Sequence, residues 1–455
     1  MVAHTRTHQE LPAASVADTA RFGLDAAWPL VAGGVLQRRP RVLALAEKFQ
    51  ADRRMVKLLW TLRERYGTGP VRLRVPWRSL VLLLDPHDVH RVLSESAESF
   101  TPANFEKRKA LRQFQPHGVL ISRGAVRAER REFNENVLDT TRQLHRLAGP
   151  INEVVRQEAA ELLATAERDG RLTWQRFAEY WWRIVRRVVL GDEARDDVTV
   201  IKQLQKLRSA GNWSLLHPLR RNTRRKFEKR LRQHLGRAEQ GSLAEILART
   251  PTGTSTDPAG QVPHWLFAFD AAGIANIRTL ALLTSHPAHA DQAHAEIDGL
   301  DLDAPQSLPY LRACQLEAVR LWATAPAILR DSTTETDWHG QTVPSGTGFM
   351  VLSPMFHRDS RRLSYADEFD PEVWLDGRAQ QEPALVPFSS GPGACPGENL
   401  VLFVGSTLLA ALLENHRFPL HNHRELTPEK PLPATLNNFA LEFTVERRKP
   451  REEEP

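Results

Sequence analysis

Apolar positions recur at helical spacing through most of the chain and alternate only in short stretches, so helices dominate the reading. Residues 41–66 read as a helix, and VRLRVP (71–76) and SLVLLLD (79–85) read as strands. Asp85-Pro86 opens a short helix through Ser94, with an acid at the N-cap and proline in the first turn. Residues 99–118 mix Pro, Asn, Phe and basic side chains, the pattern of a long loop or broken helix. From about 124 to 250 the pattern is helical almost throughout, and Trp174 to Leu190 is apolar on more than one face, as a buried helix requires. A polar loop at 250–263 leads into an apolar helix from about Trp265 to Ser285. Beyond it come a helix over Leu308 to Trp322, short extended pieces (ILRDSTTET, QTVPSGTGFMVLS), a helix over 397–414 and a last β-like piece. Long helices with small β elements at both ends define a mainly α (α+β) chain without internal repeats.

The first 40 or so residues read as an irregular arm, 41–450 as one domain and 451–455 as a charged tail. The apolar stretch Ala26 to Leu36 is short and holds Pro29 and two glycines, so it is expected to pack on the body. No run reaches the ~18 apolar residues of a membrane span, and the start MVAHTRTHQELP lacks the apolar core of a signal peptide. Lys and Arg number 61 against 55 acids, a net charge of +6 that suits an acidic partner protein. Neither zinc-ligand spacing nor an aromatic-basic motif supports nucleic-acid binding. The basic run at 217–234 reads as a solvated helix face. Two cysteines, Cys314 and Cys395, exclude a disulfide scaffold and fit a reducing, cytoplasmic compartment.

Candidate chemistry concentrates in PFSSGPGACPGENLVLF, 387–403, where Phe388, Gly391, Cys395 and Gly397 stand in the spacing F-x-x-G-x-x-x-C-x-G. A thiolate that ligates iron needs its charge stabilised without a proton, which backbone N–H groups and a helix N-terminus provide. Gly391 and Gly393 are expected to take positive φ angles, and Pro396 to sit at the first helical position. Phe388 can cover the sulfur and exclude water. A thiolate so held pushes electron density onto the iron.

This loop resembles the haem-binding signature of the cytochrome P-450 superfamily, and further matches follow in the family's order. Glu317-Ala318-Val319-Arg320 resembles its E-x-x-R motif, a structural ion pair in which Glu317 and Arg320 share one helix face. Ala325 to Arg330 resembles the strand whose arginine reaches a haem propionate. Phe356-His357-Arg358-Asp359 resembles the stretch whose histidine approaches a propionate, and Ala366 to Trp374 resembles A-D-x-F-x-P-E-R-W. The likeness is close over about 310–415 and loose elsewhere. It implies a haem-thiolate monooxygenase fold, with haem b between a long distal helix and the cysteine-loop helix and Cys395 on the metal. Arg130, Arg330, His357, Phe388, Gly391 and Gly397 would complete the cofactor site.

Four positions depart from the family pattern. Gly393 stands where Arg or His usually meets a propionate, and Val373 replaces the arginine of P-E-R-W. Val126 precedes Arg130 where Trp or His is usual, with Arg131 a substitute cation. On the distal helix, Ala272-Gly273-Ile274-Ala275-Asn276 stands for A-G-x-D/E-T, so Ala275 and Asn276 replace the acid and alcohol that relay protons. Gly273 would leave room for oxygen, and Asn276 would hold a relay water. The resemblance implies insertion of one oxygen atom from dioxygen into a small organic substrate, in secondary metabolism. Electrons would come from a separate ferredoxin or flavodoxin with its reductase, and the enzyme would be a monomer. Two alternatives stay open: a peroxide-using or non-oxygenating haem-thiolate enzyme, and a non-catalytic haem-binding sensor.

Overall fold

The computed structural model describes residues 10–95, 97–214, 217–423 and 425–448; the charged tail at 451–455 lies outside them. The fold is mainly α with small sheets. Helices Ala148–Asp169, Trp174–Leu190 and Glu398–Leu413 gather around the central helix Val262–Ser285, and Pro309–Leu321 packs on the same group. Trp174–Leu190 is buried along most of its length, as its all-round apolar pattern predicts. The central helix is long and apolar enough to cross a membrane by length and composition alone, yet it forms the core of this bundle.

A second apolar core lies under a five-stranded sheet. Its strands run Val71–Leu73, Leu80–Leu82, Gly348–Leu352, Ala327–Ser332 and Phe100–Thr101, with one parallel pair, Leu80–Leu82 beside Gly348–Leu352. Helix Pro86–Ser94 starts as its sequence predicts, with the Asp85 carboxylate accepting from His87 N–H at 2.8 Å. The stretch 99–118, expected as a long loop or broken helix, holds a helix, Phe105–Leu111, which Asn104 caps by accepting from Lys107 N–H at 2.9 Å. The basic run forms helix Arg221–Leu235, with Phe227 and Leu231 inward and Arg225, Lys226 and Lys229 in solvent.

Two expectations fail for tertiary reasons. The helix at 41–66 is two helices, Pro40–Lys48 and Ala51–Tyr66, broken where Gln50 adopts φ 47°. The Gln50 amide donates to Glu47 O and Thr435 O and accepts from Ala434 N–H and Thr435 N–H, which fixes the break to a distant loop. The arm is not irregular: Val16–Phe22 and Trp28–Gly33 are helical, joined by a π turn. Its last part is then tied to helix Val198–Gly211. Asn212 accepts from Leu36 N–H and Gln37 N–H and donates to Gln37 O, while Arg208 donates to Leu36 O. Gly211 permits this approach, since a Cβ there would lie 2.6 Å from Leu36 Cδ1.

Candidate active site

The cysteine loop is closed by Cys395 N–H donating to Phe388 O and Ala394 N–H to Gly391 O, each at 2.9 Å. Gly391 has φ +59° and a Cβ there would overlap Leu93 O, so conformation and space both demand glycine. Gly393, expected to share that conformation, has no positive φ; the room left by its missing side chain is filled by the Arg330 guanidinium. Gly397 caps the helix Glu398–Leu413 and sends its N–H to the Cys395 sulfur, so Pro396 lies just before the cap and not in the first turn. Burial pushes the Cys395 thiol up to about 11, while the Gly397 N–H and the Arg131 guanidinium pull it down. An anionic sulfur here therefore calls for a cation against it, as a metal ion supplies. Cys314 is fully buried in helix Pro309–Leu321, where burial and nearby carboxylates keep it a thiol.

Helix Gly124–Leu138 holds the loop from the other side. Arg127 Nη2 donates to Pro392 O and Arg131 Nη1 to Ala394 O, both at 2.6 Å. These two arginines are four residues apart and share a face. Arg130 is rotated off that face: its guanidinium donates to Ser255 O at 3.0 and 3.1 Å and to Ser122 Oγ at 2.7 Å. Arg130, expected at a propionate, is thus held by Ser255 and Ser122, and Arg127 and Arg131 are the arginines of this helix that meet the loop.

Arg330 emerges from strand Ala327–Ser332, only 4% exposed, with Nη1 on Leu329 O and Nη2 on Ser389 Oγ, each at 3.1 Å. Burial and the neighbouring Arg127 pull its guanidinium down to about 10. Arg127 Nε is buried without a hydrogen-bond partner. Lys107 reaches the same corner, its Nζ 3.3 Å from Leu329 O, and burial with the Arg330 charge lowers its ammonium to about 7. The local acid, Asp331, is taken by Arg78, Phe105 N–H and Arg123. Buried cations without acids are costly alone, so this corner is built for an anionic ligand. The two carboxylates of a haem fit it.

His357, also expected at a propionate, keeps its Nδ1 buried without a hydrogen-bond partner. It is 1% exposed, its Nε2 accepts from Val386 N–H at 3.1 Å, and its carbonyl accepts from Arg320. Burial and the Arg320 charge lower its imidazole to about 3, so it is a neutral strut. Glu317 and Arg320 form a fully buried bidentate pair, with oxygen–nitrogen distances of 2.7 and 2.6 Å. Arg320 also donates to the carbonyls of Tyr365, Ala366 and Glu368. Where Val373 removes the usual arginine, Trp374 Nε1 and Asp370 N–H donate to Glu317 instead.

On the central helix, His264, Phe267, Ala268 and Ala271 form a partly exposed stripe at helical spacing, although the helix lies in the core. His264 of this stripe is tied to the 99–118 segment, its Nδ1 3.2 Å from Gln115 Nε2. Gly273 and Asn276 lie off the stripe. A Cβ on Gly273 would lie 2.6 Å from Trp181 Nε1, so this glycine admits the tryptophan that donates to Phe269 O. Asn276, 2% exposed, meets the Gln315 amide at 2.6 Å over Gly405. At about 100° per residue, Asn276 is turned roughly 140° from Ala271. Ala275 continues the stripe but is buried. The acid on this helix is Asp270, paired with Arg208, and Ala271 and Ala272 follow it with no alcohol. Sequence reading passed over Arg127, Lys107 and Asp270; a lone acid in an apolar helix was the available signal for the last.

Fold and site together set a cysteine sulfur near a corner of buried cations. The family model for cytochrome P450 matches residues 277–442, which include Glu317, Arg320, Arg330 and Cys395. Cyclooctat-9-en-7-ol 5-monooxygenase of Streptomyces melanosporofaciens is 31% identical over 196 residues, 40% of this chain and 42% of that protein. Probable cytochrome P450 4s3 of Drosophila melanogaster is 30% identical over 167 residues, 36% of this chain and 34% of that protein. A 2-hydroxyisoflavanone synthase of Glycine max is 30% identical over 162 residues, 32% of this chain and 31% of that protein. These matches span 31–42% of the relatives' own length. Over residues 277–442, then, the chain matches the cytochrome P450 family.

Proposed function

We propose that this protein is a haem-thiolate monooxygenase that binds haem b through Cys395 and inserts one oxygen atom from dioxygen into a small organic substrate. The observation that carries the reading is the pairing of Cys395, with the Gly397 N–H on its sulfur, and a corner of buried cations without acids. Arg127 and Arg330 would hold the propionates, and Arg131 and Gly397 would hold charge on the sulfur. When bound, the haem iron supplies the oxidising chemistry. The apolar stripe Phe267, Ala268 and Ala271 orients substrate and excludes water. Asp270, gripped by Arg208, would be the carboxylate that handles a proton on the central helix. Electrons would come from a separate ferredoxin or flavodoxin and its reductase, the enzyme acting as a cytoplasmic monomer. Two cysteines with no pairing suit that compartment.

One observation favours a second reading within the same chemistry. The residues after Asp270 are Ala271 and Ala272, so no hydroxyl stands beside the acid. Such a cleft suits an enzyme fed by peroxide, which brings its own protons. Purified protein should give a ferrous carbonyl band far to the red of a histidine-ligated one, and Cys395→Ala should abolish it. A retained band in Cys395→Ala would sink the haem-thiolate reading. Product formed with peroxide, and none with ferredoxin, reductase and dioxygen, would select the second reading.

A further inference from the structure

The body covers one face of the N-terminal arm and leaves the other in solvent. Phe22, Ala26 and Gly33 are turned inward and buried. Leu24, Trp28 and Val31, four and three residues apart, stand on the outer face, with Leu24 70% and Trp28 60% exposed. The next helix, Pro40–Lys48, packs on the arm and buries none of its own residues. Leu45 and Phe49, toward its end, are also exposed.

Shared contacts draw these positions into one patch. Exposed Val35 is followed by Leu36 and Gln37, whose N–H groups donate to Asn212 Oδ1, and exposed Trp213 comes next after Asn212. The Arg39 guanidinium lies 4.7 Å from the centre of the Trp213 ring and donates to Ala32 O, beside Val31, at 2.9 Å. Single exposed apolar side chains are ordinary, but a patch with two tryptophans and a phenylalanine marks a contact surface.

Charge around the patch selects the partner. Lys48 Nζ and the Arg54 guanidinium lie 6.0 and 5.6 Å from the centre of the Phe49 ring, and Arg41 is exposed. The acids of this stretch are engaged: Asp18 with Arg65, Asp25 with Arg21, Glu47 with Asn437 N–H and Asp52 with Thr435. Basic heads lying over exposed rings match a lipid surface, where rings enter the acyl boundary and cations reach phosphate. A second copy on this face would set the same cations against each other.

We propose that the arm and helix Pro40–Lys48 dock this protein on an anionic lipid surface, peripherally and without a span. Leu24, Trp28, Leu45 and Phe49 enter the acyl boundary, and Arg39, Lys48 and Arg54 meet the headgroups.

The test is sedimentation of the full-length protein with vesicles of phosphatidylcholine, alone or with about one-third phosphatidylserine. The parent should pellet with the mixed vesicles and be released as salt rises. Trp28→Glu and Phe49→Glu should each weaken this partition roughly tenfold or more. Leu375→Glu, at an exposed apolar position beside the turn Pro371–Trp374, should leave it unchanged. Lys48→Gln with Arg54→Gln should lose the preference for mixed vesicles. Unfolding midpoints should match the parent in every variant, which separates lost binding from lost fold. No pelleting with either vesicle overturns the proposal, as does equal affinity for the two compositions. Binding that Trp28→Glu and Phe49→Glu leave intact overturns it too. A mass that doubles with concentration, reverts in Trp28→Glu and comes without vesicle binding overturns it and gives the patch to a second copy. Partition is read without turnover or a haem spectrum, so failure here and failure of the haem-thiolate reading are separate results.

Discussion

Adding the cation that the family usually carries two residues before the cysteine should weaken haem binding here. A Cβ on Gly393 would overlap the Arg330 terminal nitrogen and lie 3.1 Å from Cζ and 3.5 Å from Nε. Arg330 is 4% exposed and fixed by Leu329 O and Ser389 Oγ, so it cannot swing freely aside. Gly393→Ala must push the guanidinium off Ser389 and away from a propionate. Losing one hydrogen bond made by a charged group costs about 1.5–3 kcal/mol, or roughly 10–150-fold in the haem-loss rate. Gly393→Arg adds like-charge repulsion beside Arg127 and Arg330 and should be worse. The swap Gly393→Arg with Arg330→Ala should recover much of the loss, because one cation then occupies the space that two cannot share. Haem transfer to an apo-globin acceptor measures all four proteins. If Gly393→Ala and Gly393→Arg both hold haem as well as the parent, the steric argument is wrong. A slower loss in Gly393→Arg would mean the loop has room for both arginines.

Four further outcomes follow from the same geometry. Glu317→Ala should cost about 3–5 kcal/mol by stranding the fully buried Arg320, read as a lowered denaturant midpoint or lost expression. Asn276→Ala should lower stability by about 1–2 kcal/mol through its Gln315 contact yet leave product per electron unchanged, and a fall in coupling would restore the relay role. Arg208→Met frees Asp270 from its partner and should lower product formed per electron with haem content unchanged, whereas unchanged coupling would make the pair purely structural. His357 folds as a neutral base lowered from 6.5 to about 3, so the unfolded chain binds more protons between these values and stability falls as pH drops below 6.5. At pH 5 this amounts to about 2 kcal/mol, and a His357→Gln protein should lose that part of the acid sensitivity in denaturant melts at pH 7 and 5.

Helices and the cysteine loop were legible because their signals are local. The apolar repeat of Trp174 to Leu190, the Asp85-Pro86 start and the glycines around Cys395 each act within a few residues. The break at Gln50 was not legible, since its cause is a loop at 434–435. On the helix over 124–138, three nearby arginines looked equivalent in one dimension; rotation about the axis decides that Arg127 and Arg131, not Arg130, meet the loop. The central helix misled more strongly. Ala272-Gly273 and Asn276 carried a motif in the sequence, while in the fold the glycine packs on Trp181 and the polar amide on Gln315. A small residue or a buried amide reports a close neighbour, and the sequence does not say which one.

Arg208 grips Leu36 O with the same guanidinium that holds Asp270. Trimming the chain past residue 36 would therefore remove an acceptor from a side chain that is 1% exposed. Arg208 would then lean wholly on Asp270, and Asn212 would lose the Leu36 N–H, the shorter of its two arm donors. The arm thus behaves as a remote tuning string for the acid on the central helix. A protein engineer who moves a tag, swaps the first forty residues or grafts this body onto another leader is altering the setting of that acid, with no residue near the cysteine touched.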